Sequence, residues 1–231
     1  MARKDRVPNP PRKVQAPKRR TAPAAAADPA KRRNLLLGLA AAALALLAIV
    51  GGVLLLGGGG KSEAAVLQEA GCTLETFPAD ADSATHVELD AKPEWSSHPP
   101  TNGPHYAVPA VFGFYEDPVP LLQSTHNLEH GAVVIHYGDK VPDAEIQKLR
   151  AWYAKDPNGL LVAPLDDLGE TIALSAWTTP DSAPGGEGGS RGRGYLAKCS
   201  RFEESAFDRF VEEHRYRGPE RIPPEQLAPG T

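Results

Sequence analysis

Residues 124–138, with the sequence "STHNLEHGAVVIHYG", contain the clearest structural signal in the chain. The run "AVVIHY" at 132–137 is short, apolar and rich in β-branched side chains, and these features predict a buried strand. Side chains alternate between the two faces of a strand, so His136 is expected on the same face as Ala132 and Val134. The stretch also holds three of the seven histidines of the chain, which makes its polar turn and strand a candidate site.

The segments that follow this strand alternate between helical and extended patterns. Apolar residues at helical spacing predict a helix over residues 141–159 and an amphipathic helix over residues 201–218. The runs "LLVAPL" at 160–165 and "TIALSAW" at 171–177 predict two further strands. This mixed order predicts an α+β fold with a small mixed sheet and two or three helices.

The C-terminal part of the chain has a length that suits one globular domain. Residues 58–71 are predicted to form a linker and a short helix, with Ser62 as the N-cap and Gly71 beyond the C-terminal end. The globular domain is placed at 72–218, and residues 219–231 are interpreted as a C-terminal tail.

An uncharged run of 22 residues, "LLLGLAAAALALLAIVGGVLLL", occupies positions 35–56. As a helix rising about 1.5 Å per residue it would be roughly 33 Å long, enough to cross a hydrocarbon core of about 30 Å. A core helix of a soluble domain is apolar along one face, whereas this run is apolar on every face. The sequence therefore predicts one transmembrane helix at 34–57.

The distribution of charge predicts the orientation of that helix. Residues 1–33 are rich in Pro and Ala and contain eleven Lys or Arg and two Asp, a composition typical of a disordered basic tail. From Lys61 onward the chain has 14 basic and 27 acidic residues, a net charge of −13. The positive-inside rule then places the tail in the cytoplasm and the domain outside, on a single-pass cell-membrane protein. A cleaved signal peptide is the alternative, but signal-peptide cores span only about 7–15 residues, which favours an uncleaved signal-anchor.

The chain has two cysteines, Cys72 and Cys199, one near each end of the predicted outer domain. Outside the cytoplasm a disulfide between them would persist, so a structural disulfide is expected. A redox-active pair is the alternative, but the CxxC spacing that such pairs use is absent from the sequence.

Three motifs together resemble a known family: "HPPTNGPHY" at 98–106, "HNLEHGAVVIHY" at 126–137 and "ALSAWT" at 173–178. The family is a membrane-anchored bacterial one, common in actinobacteria, called domain of unknown function 3105. The resemblance implies that four site candidates belong to the family's pattern, namely His105, His126, Glu129 and His130. It implies no activity, because none is assigned to that family.

His126, Glu129 and His130 follow the HxxEH order of one class of zinc enzymes. In those enzymes the motif lies inside a long helix, so that both imidazoles face the same side. Here Gly131 and a β-branched strand follow at once. The sequence therefore disfavours a zinc peptidase of that class.

A looser metal site remains a hypothesis, in which the Pro- and Gly-rich loop brings a further histidine to the turn. Nitrogen and oxygen ligands suit Zn²⁺ or Cu²⁺, and the single methionine, Met1, argues against a methionine-based copper(I) carrier. The alternative is that these side chains only form hydrogen bonds within their own loops. The candidate ligands are His105, His126, Glu129 and His130, with His86 and His136 as further candidates.

Three hypotheses for the outer domain stay open: metal binding, an enzyme with Glu129 or a histidine as general base, and a non-catalytic module that binds another envelope protein. The hydroxyls of Ser124 and Thr125 lie near the histidines, but no nucleophile motif surrounds them, which disfavours the enzyme. A nucleic acid partner is not expected for a domain with a net charge of −13. His98 and His214 are expected to face solvent.

Overall fold

A computed structural model of the protein describes residues 60–79, 82–179 and 192–231. The predicted cytoplasmic tail at 1–33 and the predicted transmembrane helix at 34–57 lie outside the described residues. Among the residues that are described, no helix is long and apolar enough to cross a membrane. The membrane anchor therefore stays a prediction.

A mixed β-sheet lies at the centre of the domain. The strands of the described residues are β1 (Cys72–Pro78), β2 (His86–Val87), β3 (His105–Tyr106), β4 (Val133–Tyr137), β5 (Leu160–Pro164), β6 (Ile172–Thr178) and β7 (Arg193–Cys199). Five of them form one sheet in the order β1-β7-β6-β4-β5, in which only β4 and β5 run parallel. Strands β2 and β3 form a separate parallel pair. The predicted α+β class with a mixed sheet is confirmed.

The described residues form four α-helices, whereas two or three were predicted: α1 (Glu63–Glu69), α2 (Leu121–Glu129), α3 (Asp143–Tyr153) and α4 (Glu204–His214). The additional helix is α2, for which the sequence indicated only a turn. It buries polar side chains together with its apolar ones, so no apolar stripe marks it in the sequence. The hydroxyls of Ser124 and Thr125 donate to the Leu121 carbonyl, at 3.2 and 2.7 Å, within the first turns of this helix.

The predicted ends of α1 are confirmed. The Ser62 hydroxyl accepts a hydrogen bond from the backbone N–H of Ala65 at 3.3 Å, as an N-cap does. Gly71, just beyond the helix, has a φ angle of 81°, a conformation that glycine adopts without a steric penalty. The chain then turns directly into β1.

Strands β1 and β7, which the sequence analysis missed, pair along their whole length at one edge of the sheet. Half of β1 is exposed, so it lacks the continuous apolar run that identified β4. Cys72 lies directly opposite Cys199 in this pairing, and their sulfur atoms are bonded. The predicted disulfide is confirmed, and it joins an edge strand to its neighbour.

The two faces of the sheet carry separate apolar cores. On one face, side chains of β4 and β6 pack with α3 and α4. On the other, Ala132 and Val134 pack with Leu128 of α2 and with Trp177 of β6. The alternation of β4 places His136 on this second face, as predicted. The candidate site lies on the same face, around α2.

His136 is an isolated buried imidazole. Its side chain is 1% exposed, and neither ring nitrogen has a hydrogen-bond partner among the described residues. Burial lowers the pKa of His136 to about 4, because the charged imidazolium would lose its hydration. His136 is therefore neutral at physiological pH.

Residues 219–231, interpreted from the sequence as a tail, pack onto the domain. The Leu227 side chain is fully buried, and its carbonyl accepts a hydrogen bond from Gly159 N–H at 2.8 Å. The Thr231 carbonyl accepts from Phe112 N–H at 2.9 Å. In the sequence this segment has one leucine among Pro, Glu and Gln. That apolar signal was too weak for the segment to be assigned to the globular domain.

Candidate metal centre

Two of the candidate histidines face each other across the β2–β3 pair. His86 is directly opposite His105 in the parallel register, and their ring centroids are 5.1 Å apart. His105 is fully buried, whereas His86 is exposed. The pairing gives the cluster one buried imidazole and one imidazole in contact with solvent.

The loop before β3 is held rigidly behind His105. Gly103 has a φ angle of 121°, and a Cβ atom there would lie 2.7 Å from the Trp95 side chain, so only glycine fits. A Cβ at Gly194 of β7 would lie 2.1 Å from the hydroxyl of buried Thr101, which shows how closely the loop approaches the sheet. This packing restricts where His105 can point.

Helix α2 supplies the other buried donors, since His126 and Glu129 project from the same end of it. The His126 ring lies 4.8 Å from the His105 ring and stacks on the His86 ring at 5.1 Å. The Glu129 Oε2 atom is 2.9 Å from the Nε2 atom of His105. Three imidazoles and one carboxylate therefore meet between α2 and the β2–β3 pair.

Backbone carbonyls orient two of the imidazoles. The Nδ1 atom of His105 is 2.8 Å from the Gly103 carbonyl, and the Nδ1 atom of His126 is 2.6 Å from the Tyr106 carbonyl. A carbonyl can only accept, so each Nδ1 carries a proton and donates it. Each Nε2 atom is then directed into the cluster, the arrangement in which a protein presents a histidine to a metal ion.

The ligand atoms lie close enough to share one ion. One nitrogen or oxygen from each of four residues lies within 4.8 Å of the others; we call this set, His86, His105, His126 and Glu129, the inner group. Around a tetrahedral Zn²⁺ with bonds of about 2.0–2.1 Å, ligand atoms are about 3.4 Å apart. The separations within the inner group are of this order.

Glu129 remains ionised inside this cluster. Burial raises the pKa of its carboxyl group, but the hydrogen bond with His105 and the charges of His105, His126 and His86 lower it more, so the net pKa is below its ordinary value. Because the Nδ1–H of His105 donates to the Gly103 carbonyl, the Nε2 atom of His105 has a lone pair, and this acceptor faces a Glu129 carboxylate oxygen, which is also an acceptor. Two such acceptor atoms need a shared proton or a shared cation between them.

A second set of donors adjoins the first; we call His126, His130 and Glu220 the outer group. The Nε2 atoms of His126 and His130 are 3.0 Å apart, and the Nε2 atom of His130 is 3.5 Å from the Glu220 carboxylate. Burial lowers the pKa of His126 and of His130, although the charge of Glu220 opposes this for His130. Both imidazoles are therefore neutral at pH 7, the form that binds metal ions.

Sequence analysis missed Glu220, because it lies outside the histidine motifs. The backbone N–H of Glu220 donates to the Glu129 carbonyl at 3.0 Å, which holds the segment against the end of α2. A Cβ at Gly218 would lie 2.2 Å from that same carbonyl, so the close approach requires glycine. In the "YRGPE" stretch at 216–220, this glycine was the only residue that could have indicated a close contact with another segment.

The remaining histidines lie outside both groups. His136 is on the same face of the sheet but in β4, and no metal-ligand set among the described residues includes it. His98 is half-exposed and pairs with Asp167 at 2.9 Å. His214, expected in solvent, is instead buried, and its Nε2 atom is 2.8 Å from Glu63 of α1, because α1 packs over the end of α4.

The fold and this cluster define an α+β domain with a buried His/Glu site between a helix and a two-stranded pair. The chain belongs to the family described as Protein of unknown function (DUF3105), which it matches over residues 86–226. That range begins at His86 and includes every residue of the inner and outer groups. No curated protein and no solved structure matches the chain.

Proposed function

We propose that the domain binds one divalent transition-metal ion, Zn²⁺ or Cu²⁺, through the inner group. The supporting observation is that backbone carbonyls hold two imidazoles, His105 and His126, through Nδ1, and that the Nε2 atom of His105 lies 2.9 Å from the Glu129 carboxylate. One donor atom from each residue of the inner group lies within 4.8 Å of the others. A purely structural histidine needs one satisfied hydrogen bond, whereas this set brings several donor atoms with lone pairs to one point.

The chemistry of the donors selects the kind of ion. Three imidazole nitrogens and one carboxylate oxygen suit Zn²⁺ or Cu²⁺, whereas Mg²⁺ and Ca²⁺ prefer oxygen ligands alone. His86 is exposed, so its position is the one that exchanges most easily with solvent. The hydroxyls of Ser124 and Thr125 donate to the Leu121 carbonyl within α2, which disfavours them as nucleophiles and favours binding over hydrolysis.

Metal titration of the purified full-length protein tests this proposal. Zn²⁺ or Cu²⁺ at a hundredfold excess over the Kd should stabilise the folded state by about 2.7 kcal/mol and raise the melting temperature. His126→Ala removes a ligand of the inner group and should abolish most of that rise. The matched control, His98→Ala, removes a histidine paired with Asp167 outside the group and should keep the full rise.

A His126→Ala protein that binds metal as tightly as the parent would contradict the proposal. The hypothesis of a non-catalytic module that binds another envelope protein would then become the leading one.

We also propose that residues 34–57 span the cell membrane, with the basic tail in the cytoplasm and the metal-binding domain outside. The proposal is supported by the net charge of −13 after the apolar run and the eleven basic residues before it. The Cys72–Cys199 disulfide adds support, because disulfides persist outside the reducing cytoplasm.

Labelling with a membrane-impermeant thiol reagent tests this topology. Leu89 is 83% exposed, so Leu89→Cys should react on intact cells if the domain is outside. Thr21→Cys in the basic tail is the matched control and should react only after lysis. The reverse pattern would overturn the orientation, and labelling of both positions before lysis would show that the reagent enters the cells.

A further inference from the structure

One imidazole, His126, belongs to both the inner and the outer group. Its Nδ1 atom donates to the Tyr106 carbonyl at 2.6 Å, so Nε2 is the only ring nitrogen with a lone pair to offer. One lone pair can bind only one ion. The two groups therefore cannot both hold a metal ion through His126 at the same time.

The two groups differ in their access to solvent. The His105 side chain is fully buried and that of Glu129 is 7% exposed, whereas the Glu220 side chain is 61% exposed. His130 lies between these extremes, with 14% of its side chain exposed. Solvent also reaches the inner group at the exposed His86, but only on the side of Glu220 and His130 does an arriving cation first meet an exposed carboxylate, which attracts it.

The outer group is held in place by backbone contacts. Besides the hydrogen bond from Glu220 N–H to the Glu129 carbonyl, the Tyr216 N–H donates to the Gly131 carbonyl at 2.7 Å. These bonds fix residues 216–220 against the C-terminal end of α2, where His130 is the C-cap. The fold therefore holds the backbone of Glu220, and its largely exposed carboxylate lies 3.5 Å from the His130 Nε2 atom.

We propose that the outer group is the entry position for the ion that the inner group holds. The ion first binds Glu220, His130 and His126. It then keeps its bond to His126 Nε2 while His86, His105 and Glu129 replace His130 and Glu220. The exchange changes no oxidation state, and the domain carries one ion at a time. This inference rests on the proposed metal-binding function.

Stopped-flow kinetics of Zn²⁺ binding to the full-length protein, with a chromophoric chelator as competitor, test this inference. They distinguish the rate at which the ion enters from the equilibrium Kd. Glu220→Gln removes a charged donor from the outer group alone and should slow both association and dissociation by about tenfold, with the Kd unchanged. Glu225→Gln is the matched control. It removes an exposed charge from residues 219–231, the stretch that also contains Glu220, and should leave both rates near those of the parent.

His86→Ala tests the other half of the inference, since His86 is exposed and belongs only to the inner group. It should weaken the Kd by about tenfold through faster dissociation, with the association rate unchanged. If Glu220→Gln leaves both rates unchanged, or weakens the Kd without slowing association, the entry role is wrong and the metal-binding proposal stands. If the parent protein binds neither Zn²⁺ nor Cu²⁺, both proposals fall.

Discussion

Replacing both cysteines with alanine should lower the free energy of unfolding by about 4 kcal/mol. The Cys72–Cys199 disulfide spans a sequence separation of 127 residues, so its loss returns a large amount of conformational freedom to the unfolded chain. Typical domains are stable by only about 5–15 kcal/mol, and the change would therefore remove a large share of the total.

Equilibrium unfolding in urea measures this effect. The midpoint of unfolding is compared between the parent and the double variant, each with and without dithiothreitol. Dithiothreitol should shift the parent midpoint down to that of the variant. The variant is its own control, because it has no thiol and its midpoint should not respond to the reductant. A variant within about 1 kcal/mol of the parent would show that the cross-link adds little beyond the β1–β7 pairing.

Acidification from pH 7 to pH 4 should destabilise the domain by about 3 kcal/mol through His136 alone. Burial lowers the pKa of His136 to about 4 in the folded state, while an unfolded histidine titrates near 6.5. Between these values the unfolded chain binds a proton that the folded chain does not. The stability contributed by neutral His136 is thus complete above about pH 6.5 and is lost as the pH falls towards 4.

Urea unfolding at several pH values, in the parent and in His136→Leu, isolates this contribution. Neither ring nitrogen of His136 has a hydrogen-bond partner among the described residues. The change to leucine therefore breaks no hydrogen bond to those residues and should be tolerated at pH 7. The leucine variant should lose about 3 kcal/mol less than the parent between pH 7 and pH 4. His86→Leu is the control, because His86 is exposed and the charges that act on His136 are those of His98 and Asp167, so the His136 contribution should stay in place. Parallel curves for the parent and His136→Leu would contradict the assignment.

Strand β4 and the two ends of α1 were predictable because their signals are local. In β4, apolar and β-branched residues identify the strand, and its alternation assigned His136 to the correct face. The ends of α1 follow from Ser62 and Gly71, whose preferences depend on the backbone next to them. A chain with two cysteines allows only one pairing, so the disulfide needed no structure to be predicted.

Helix α2 and strands β1 and β7 were not predictable in the same way. The buried side of α2 is partly polar, and its Asn127 side chain exchanges hydrogen bonds with the backbone of Ala110, 17 residues away in the chain. Strand β1 is half exposed and gains its identity from its partner β7, which is more than 110 residues away in the chain. Both cases depend on long-range partners that local periodicity does not report.

For the candidate site, the sequence by itself determined the donor types and most of their positions: His105, His126, Glu129 and His130 all lie in the cluster. Only the tertiary structure decided which of them share a point. Of the two further candidates, it brought His86 into the cluster through the β2–β3 register and left His136 apart, and it added Glu220 through the backbone bond to the end of α2. The physical reason is that the kind of donor is a property of each side chain, whereas the convergence of donors depends on strand register and helix packing between distant segments.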